Sequence, residues 1–195
     1  MSENRGRILC LGCSNTYGYD PQAPLSSRYP PEIRWTGRLQ AAGWQVLNRG
    51  MNGSMVPASG EVRAFADLIG SLQPLDAVTV MFGTNEMLQG VSAEVTGQQM
   101  AQFLRAIRES TAQAALILIA PPPVTYGDWV HSSSVIRESM ALAACYRLLA
   151  EEQRVCFADA GQWGISLAFD GVHFTAEGHA AFFAGVDQLL KTIMG

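Results

Sequence analysis

The feature that most constrains this chain is an alternation. Short apolar runs of strand length recur at Arg7 to Leu11, Trp44 to Asn48, Ala77 to Phe82, Ala115 to Ala120 and Arg154 to Ala158, each near a glycine, proline or asparagine. Between and after them lie longer stretches of helical character: Glu32 to Ala42, Gly60 to Gln73, Ala93 to Gln113, Ser133 to Gln153 and Ala176 to Met194. The third is the clearest, with Met100, Phe103, Leu104 and Ile107 spaced at three and four while Arg105, Arg108 and Glu109 face away. Thr175 suits the N-cap of the last helix, and Glu177 sits in its first turn, at the positive end of the dipole. Near-continuous apolar strands alternating with helices predict an α/β fold with a five-stranded parallel sheet covered on both faces. With 195 residues and no repeat, low-complexity run or linker, a single domain over 1–195 is expected.

In such a sheet, ligands gather outside the carboxyl ends of the strands. Ser14 follows the first run, Asn52-Gly53 the second, Gly83-Thr-Asn85 the third, and Pro121-Pro-Pro123 with Tyr126 and Trp129 the fourth. The expected rim therefore collects the chain's unusual residues. Asp170-Gly-Val-His173, just before the last helix, adds a base and a carboxylate to the serine. That is the minimum an acyl-transferring serine needs, because an unassisted hydroxyl is too weak an acid to attack at neutral pH. Ser14 is the candidate nucleophile, His173 the base and Asp170 the group that fixes the imidazole. The developing oxyanion needs aimed donors, for which the N–H groups of Ser14 and Gly53 and the Asn85 amide are the natural supply; at position 53, lack of a Cβ favours close backbone approach. Met51, Asn52 and Phe82 are candidate pocket residues. His131 and His179 compete with His173 for the base role, but neither has a D-x-x-H partner; His179, one turn into the last helix, is read as structural, while His131 could line the pocket.

Other chemistries find less support. The net charge of -4 offers no basic field for nucleic acid, and no segment approaches the roughly 20 apolar residues of a membrane span. Without a signal-peptide core, a cytoplasmic location is the default. Cys10 and Cys13 have C-x-x-C spacing but no second ligand pair, so no metal is expected; Cys10 and Cys156 read as small buried thiols.

At these residues the chain resembles the SGNH or GDSL-type serine esterases and lipases. The resemblance rests on four ordered blocks: Gly12-Cys-Ser14-Asn-Thr, Asn48-Arg-Gly50-Met-Asn-Gly53, Gly83-Thr-Asn85-Glu and Asp170-Gly-Val-His173-Phe-Thr. It implies Ser14, Asp170 and His173 as the catalytic residues and Gly53 and Asn85 in the oxyanion hole. The implied fold is a three-layer α/β/α sandwich of flavodoxin-like SGNH-hydrolase architecture. No cofactor is implied. The segment Arg28 to Gly37, followed later by Ala120-Pro-Pro-Pro123, is similar to the branch that holds bacterial arylesterases and an acyltransferase. The expected activity is hydrolysis of small-molecule carboxylic esters, short acyl chains being favoured by that branch; transfer of the acyl group to an alcohol is the alternative, and a homo-oligomer is open. Two positions depart from the family pattern. Cys13 stands where the first block usually has aspartate, and Glu86 where the third usually has aspartate. The first change removes a carboxylate beside the nucleophile, which keeps a non-catalytic binding module as a third reading. It also raises the question of oxidation, which would require an exposed thiol of lowered pKa.

Overall fold

A computed structural model describes residues 5–23, 27–111 and 113–195. Five strands, β1 (Arg7–Gly12), β2 (Gln45–Gly50), β3 (Ala77–Met81), β4 (Ala115–Ala120) and β5 (Cys156–Asp159), form one sheet in the order β2-β1-β3-β4-β5, every pair parallel. This is the order of the doubly wound flavodoxin-like fold, with its switch point between the crossovers that leave β1 and β3. The longer helices are α2 (Trp35–Ala41), α3 (Ser59–Ser71), α5 (Ala93–Ser110), α6 (Ser133–Gln153) and α7 (Ala176–Met194); α1 (Ser14–Tyr17) and α4 (Thr84–Leu88) are single turns directly after β1 and β3.

The strand alternation explains why helices cover both faces. Leu9, Leu11, Val78, Val80, Leu116 and Leu118 point to one side, where they pack with Met100, Phe103 and Ile107 of α5 and Leu142 and Tyr146 of α6. Ile8, Cys10, Ala77, Met81, Ile117 and Ile119 point to the other, against Trp35 and Leu39 of α2 and Phe182, Val186 and Leu190 of α7. Successive residues of a strand face opposite ways, so a run that is apolar throughout must be buried on both sides. The result is a three-layer sandwich with two separate cores.

The expected elements lie close to the observed ones. The fourth strand and the last two helices begin and end where the pattern put them. The first helix starts later, at Trp35, because residues 30–34 form a turn around Pro30 and Pro31. The α5 helix ends at Ser110, and the expected extension toward Gln113 runs through Ala112, which lies outside the described residues. Thr175 caps α7 by accepting the Gly178 N–H at 3.0 Å. The turns α1 and α4 have no counterpart among the expected helices, since four or five residues are too few for a periodic signal, and both carry candidate site residues. Cys10 is fully buried as expected, whereas Cys156 is only partly so, at the start of edge strand β5.

Candidate active site

Strand β1 ends at Gly12, and the chain turns at once into α1, which carries Ser14 at its first position. Thr16 and Tyr17 donate their N–H groups to the Cys13 carbonyl, closing the turn. The candidate base arrives from the far end of the chain. Asp170 to Phe174 form a tight loop before α7, with Gly171 at φ +77°, left-handed backbone that favours glycine. A Cβ there would also sit 2.1 Å from the Thr125 carbonyl.

These two segments meet. Ser14 Oγ lies 2.9 Å from His173 Nε2, and His173 Nδ1 lies 2.6 Å from Asp170 Oδ2. The other carboxylate oxygen, Oδ1, accepts the N–H groups of Val172 and His173, each at 2.9 Å. All three side chains are buried, Ser14 to 6% exposure, His173 to 2% and Asp170 to 1%. Burial alone would push the Asp170 pKa up. The hydrogen bonds from the His173 ring and from the two backbone N–H groups outweigh it and hold the carboxyl below its usual range. An ionised Asp170 accepts from Nδ1–H, which leaves the Nε2 lone pair facing the serine hydroxyl.

The candidate oxyanion donors lie on two neighbouring loops. Gly53 follows β2 with φ +74°, and a Cβ there would meet no protein atom within 4 Å, so backbone conformation rather than crowding by protein atoms is what favours glycine. Asn85 lies in α4 and gives one amide hydrogen to the Ser54 carbonyl at 2.7 Å, leaving the second free. Among the described residues, the N–H groups of Ser14 and Gly53 donate to no protein acceptor. The next residue of α4, Glu86, is fully buried, and its Oε1 accepts the Val56 N–H while Oε2 has no partner. Burial raises the Glu86 pKa more than the backbone hydrogen bonds lower it. Asn85 and Glu86 thus hold the loop of residues 52–56 at two points.

A cavity of about 260 Å³ opens over these groups, lined by Ser14, Tyr19, Asn52, Gly53, Asn85, Trp129 and His173. Of the expected pocket residues, Asn52 lines it. Met51 is 61% exposed and outside the lining, and Phe82 is buried in the α5–α6 core with its ring edge-on to Phe103. Strand alternation accounts for Phe82: it follows β3 on the side that faces α5. Its carbonyl accepts from the Tyr146 hydroxyl at 3.2 Å. His131 is exposed and does not line the cavity, and His179 is fully buried among Tyr29 and Phe174 with its pKa lowered to about 3, chiefly by burial and then by Arg38 and Arg34. Two aromatic residues flank the His173 ring: Tyr19 at 4.6 Å between centroids and Trp129 at 4.9 Å, nearly perpendicular. Tyr19 carries no sequence signal of its own, since it lies outside the four blocks and reads as one more loop tyrosine. Cys13 is buried to 2% exposure and burial pushes its thiol pKa up, so neither condition for a reactive thiol is met. The described residues hold no group of three or more His, Cys, Asp or Glu side chains that could bind a metal ion, and no helix among them is long and apolar enough to cross a membrane.

Comparison with known proteins bears on the family and the fold. Residues 10–181 match the GDSL-like Lipase/Acylhydrolase family. No curated protein matches the chain. Among solved structures, a protein proposed to be an arylesterase from Agrobacterium tumefaciens str. C58 is 29% identical, with a TM-score of 0.81 over 96% of this chain and 99% of that one. A carbohydrate acetylesterase family member from Sinorhizobium meliloti is 25% identical, with a TM-score of 0.84 over 97% and 99%. The aryl esterase of M. smegmatis, 22% identical with a TM-score of 0.83 over 95% and 98%, shares the fold.

Proposed function

The chain belongs to the GDSL-like lipase/acylhydrolase family and is a carboxylic ester hydrolase, and from that premise we propose that it works through a Ser14–His173–Asp170 acyl-enzyme mechanism on short-chain esters. The observation that carries the reading is the unbroken hydrogen-bond chain from Ser14 Oγ through the imidazole to the Asp170 carboxylate. His173 Nε2 takes the hydroxyl proton as Oγ bonds to the ester carbonyl carbon. The carbonyl oxygen becomes an oxyanion facing the N–H groups of Ser14 and Gly53 and the free Asn85 amide hydrogen. Collapse breaks the bond to the alcohol, which leaves with the proton that His173 had taken. Water then attacks the acyl-serine, giving its proton to Nε2, and Ser14 recovers that proton as the carboxylic acid departs. Asp170 stays ionised throughout and stabilises the imidazolium.

The small cavity and its polar floor of Asn52, Gly53 and Asn85 favour a short acyl group, while Tyr19 and Trp129 offer an apolar flank beside His173 for the alcohol portion. That flank also favours a second outcome, in which an alcohol rather than water resolves the acyl-enzyme. A panel of chromogenic short-chain esters tests the main reading. Turnover is expected from the wild type and none above background from Ser14→Ala, and a fluorophosphonate probe is expected to label the wild type alone. Serine-independent turnover, or none across the panel, overturns it. Product partition between water and added alcohol separates hydrolysis from transfer.

A further inference from the structure

The residue after the proposed nucleophile has a side chain that reaches the other end of the molecule. Asn15 is 2% exposed. Its Nδ2 donates to the Val172 carbonyl at 3.1 Å, and its Oδ1 accepts the Phe174 N–H at 3.0 Å. Both partners are backbone groups of fixed polarity, so the orientation of the amide is determined by them. They also stand on either side of His173 in the chain. One planar side chain therefore grips the peptide units immediately before and after the proposed base.

Asn15 is itself held. Its carbonyl accepts the Trp35 indole N–H at 2.9 Å, and Trp35 is buried in the α2–α7 core. On the opposite side of the loop, Asp170 Oδ1 takes the N–H groups of Val172 and His173. Three consecutive backbone N–H groups, 172 through 174, are thus each fixed by a buried side chain. Apart from the Ser14–His173 bond, the two Asn15 contacts are the direct hydrogen bonds, among the described residues, between α1 and the base loop.

We infer that Asn15 is a positioning residue of the proposed reaction, an amide clip that sets the distance and angle between Ser14 Oγ and His173 Nε2. The inference rests on the acyl-enzyme reading above. Its physical basis is the steep dependence of proton transfer and attack on geometry, for which displacement of about 1 Å costs on the order of 10²-fold in rate. Without the amide, the loop keeps its internal bonds to Asp170 but loses its register against α1.

The test is a double-mutant cycle read as ester turnover and as the rate of fluorophosphonate labelling of Ser14. Asn15→Leu is expected to lower kcat by about 10²-fold with KM changed less than about threefold. In a His173→Ala background the same substitution is expected to change the residual rate less than about twofold, because the base it would position is gone. Equal losses in the two backgrounds, or a rise in KM that accounts for the whole loss, overturn the proposal. Asn15→Ser is the companion variant should leucine prevent folding: its smaller side chain reaches neither partner and leaves room for water to serve both. It is expected to show the same non-additivity, and additivity there overturns the proposal equally. Absence of Ser14-dependent turnover in the wild type removes the catalytic reading and this inference together, whereas additivity with Ser14-dependent turnover intact removes the inference alone.

Discussion

The two ends of the site are built to different standards of hydrogen-bond closure. In the base loop, the N–H groups of residues 172, 173 and 174 all find buried side-chain acceptors, and both Asp170 oxygens are used. On the nucleophile side, the N-cap of α1 is Cys13, whose thiol makes no capping bond, and Thr16 Oγ1 and Glu86 Oε2 are buried without partners. The difference teaches where preorganisation resides. The candidate base is held by a closed network, while the candidate nucleophile is held by the backbone turn from β1 into α1, by the contacts of its neighbour Asn15 and by the packing around it. A carboxylate at position 13, the family's usual choice, could accept the first N–H groups of α1; here that acceptor is missing and the fold is retained without it.

The comparison can be broken most decisively at Asp170. Asp170→Asn keeps the size of the side chain but removes the charge and presents an N–H where Nδ1 needs an acceptor. By analogy with the corresponding change in a well-studied serine protease, kcat is expected to fall by about 10⁴-fold with little change in KM; a loss under about tenfold in steady-state ester assays would place the driving force elsewhere. Next is Asn85→Ala, which removes one oxyanion donor and one tie to Ser54. It is expected to cost about 10² to 10³ in kcat, and an effect confined to KM would show that Asn85 binds ground state and transition state alike.

Two further tests sharpen the contrast through stability. His179 has a folded-state pKa of about 3 against an ordinary 6.5, so the unfolded chain binds the proton more readily and folding stability falls as pH drops from about 6.5 toward 3. Asp170, whose pKa is lowered on folding, adds a loss that sets in near its unfolded value, within the lower part of that range, because its contribution is present above that value and disappears as pH falls through the folded one. Urea unfolding across this range should show a sloping acid limb in the wild type and a flatter one between about 6.5 and 4 in His179→Phe; identical slopes would exclude His179 as the cause. At the nucleophile end, Glu86→Ala strands the Val56 N–H and is expected to cost about 1 to 3 kcal/mol. Glu86→Gln keeps an acceptor oxygen for the Val56 N–H and is expected to be clearly less destabilised than the alanine variant. A Gln variant as unstable as the Ala variant would mean that the charge itself is required. The smallest effect is expected from Cys13→Ala, about 1 kcal/mol or less in the same measurement, because no capping bond is lost.

Much of this arrangement is legible in the chain because its signals are either periodic or chemically rare. The double-sided sheet follows from strands that are apolar at every position, and the limits of α6 and α7 follow from long patterns with a serine or threonine before them. Ser14, Asp170 and His173 are legible because few serines are answered by a D-x-x-H segment, and the structure brings all three within hydrogen-bond reach. Phe82 was not legible, since its position next to Gly83 suits a pocket wall as well as a core, and only the direction of its side chain off β3 decides. Tyr19 and Trp129 gain their place beside His173 from loop paths that no local pattern encodes. Asn15 was in plain view within the first block, but its partners are backbone groups nearly 160 positions away, identical in kind to those of any residue.

The distance between Ser14 and His173 along the chain, 159 positions, also makes the site a clock. Among the described elements, β2 to β5 and every helix but α7 are synthesised between β1 and the loop that carries His173. A ribosome adding roughly 5 to 20 residues per second makes Ser14 about ten seconds or more before His173 exists. By the end of that interval the growing chain holds Ser14, Gly53 and Asn85 but not His173. Contacts of such long sequence separation form late and slowly in any chain. On the proposed mechanism, the first turnover of an ester by a newly made molecule is a timestamp for the closing of the whole sheet, and a chain interrupted between residues 15 and 172 would carry the serine and remain silent.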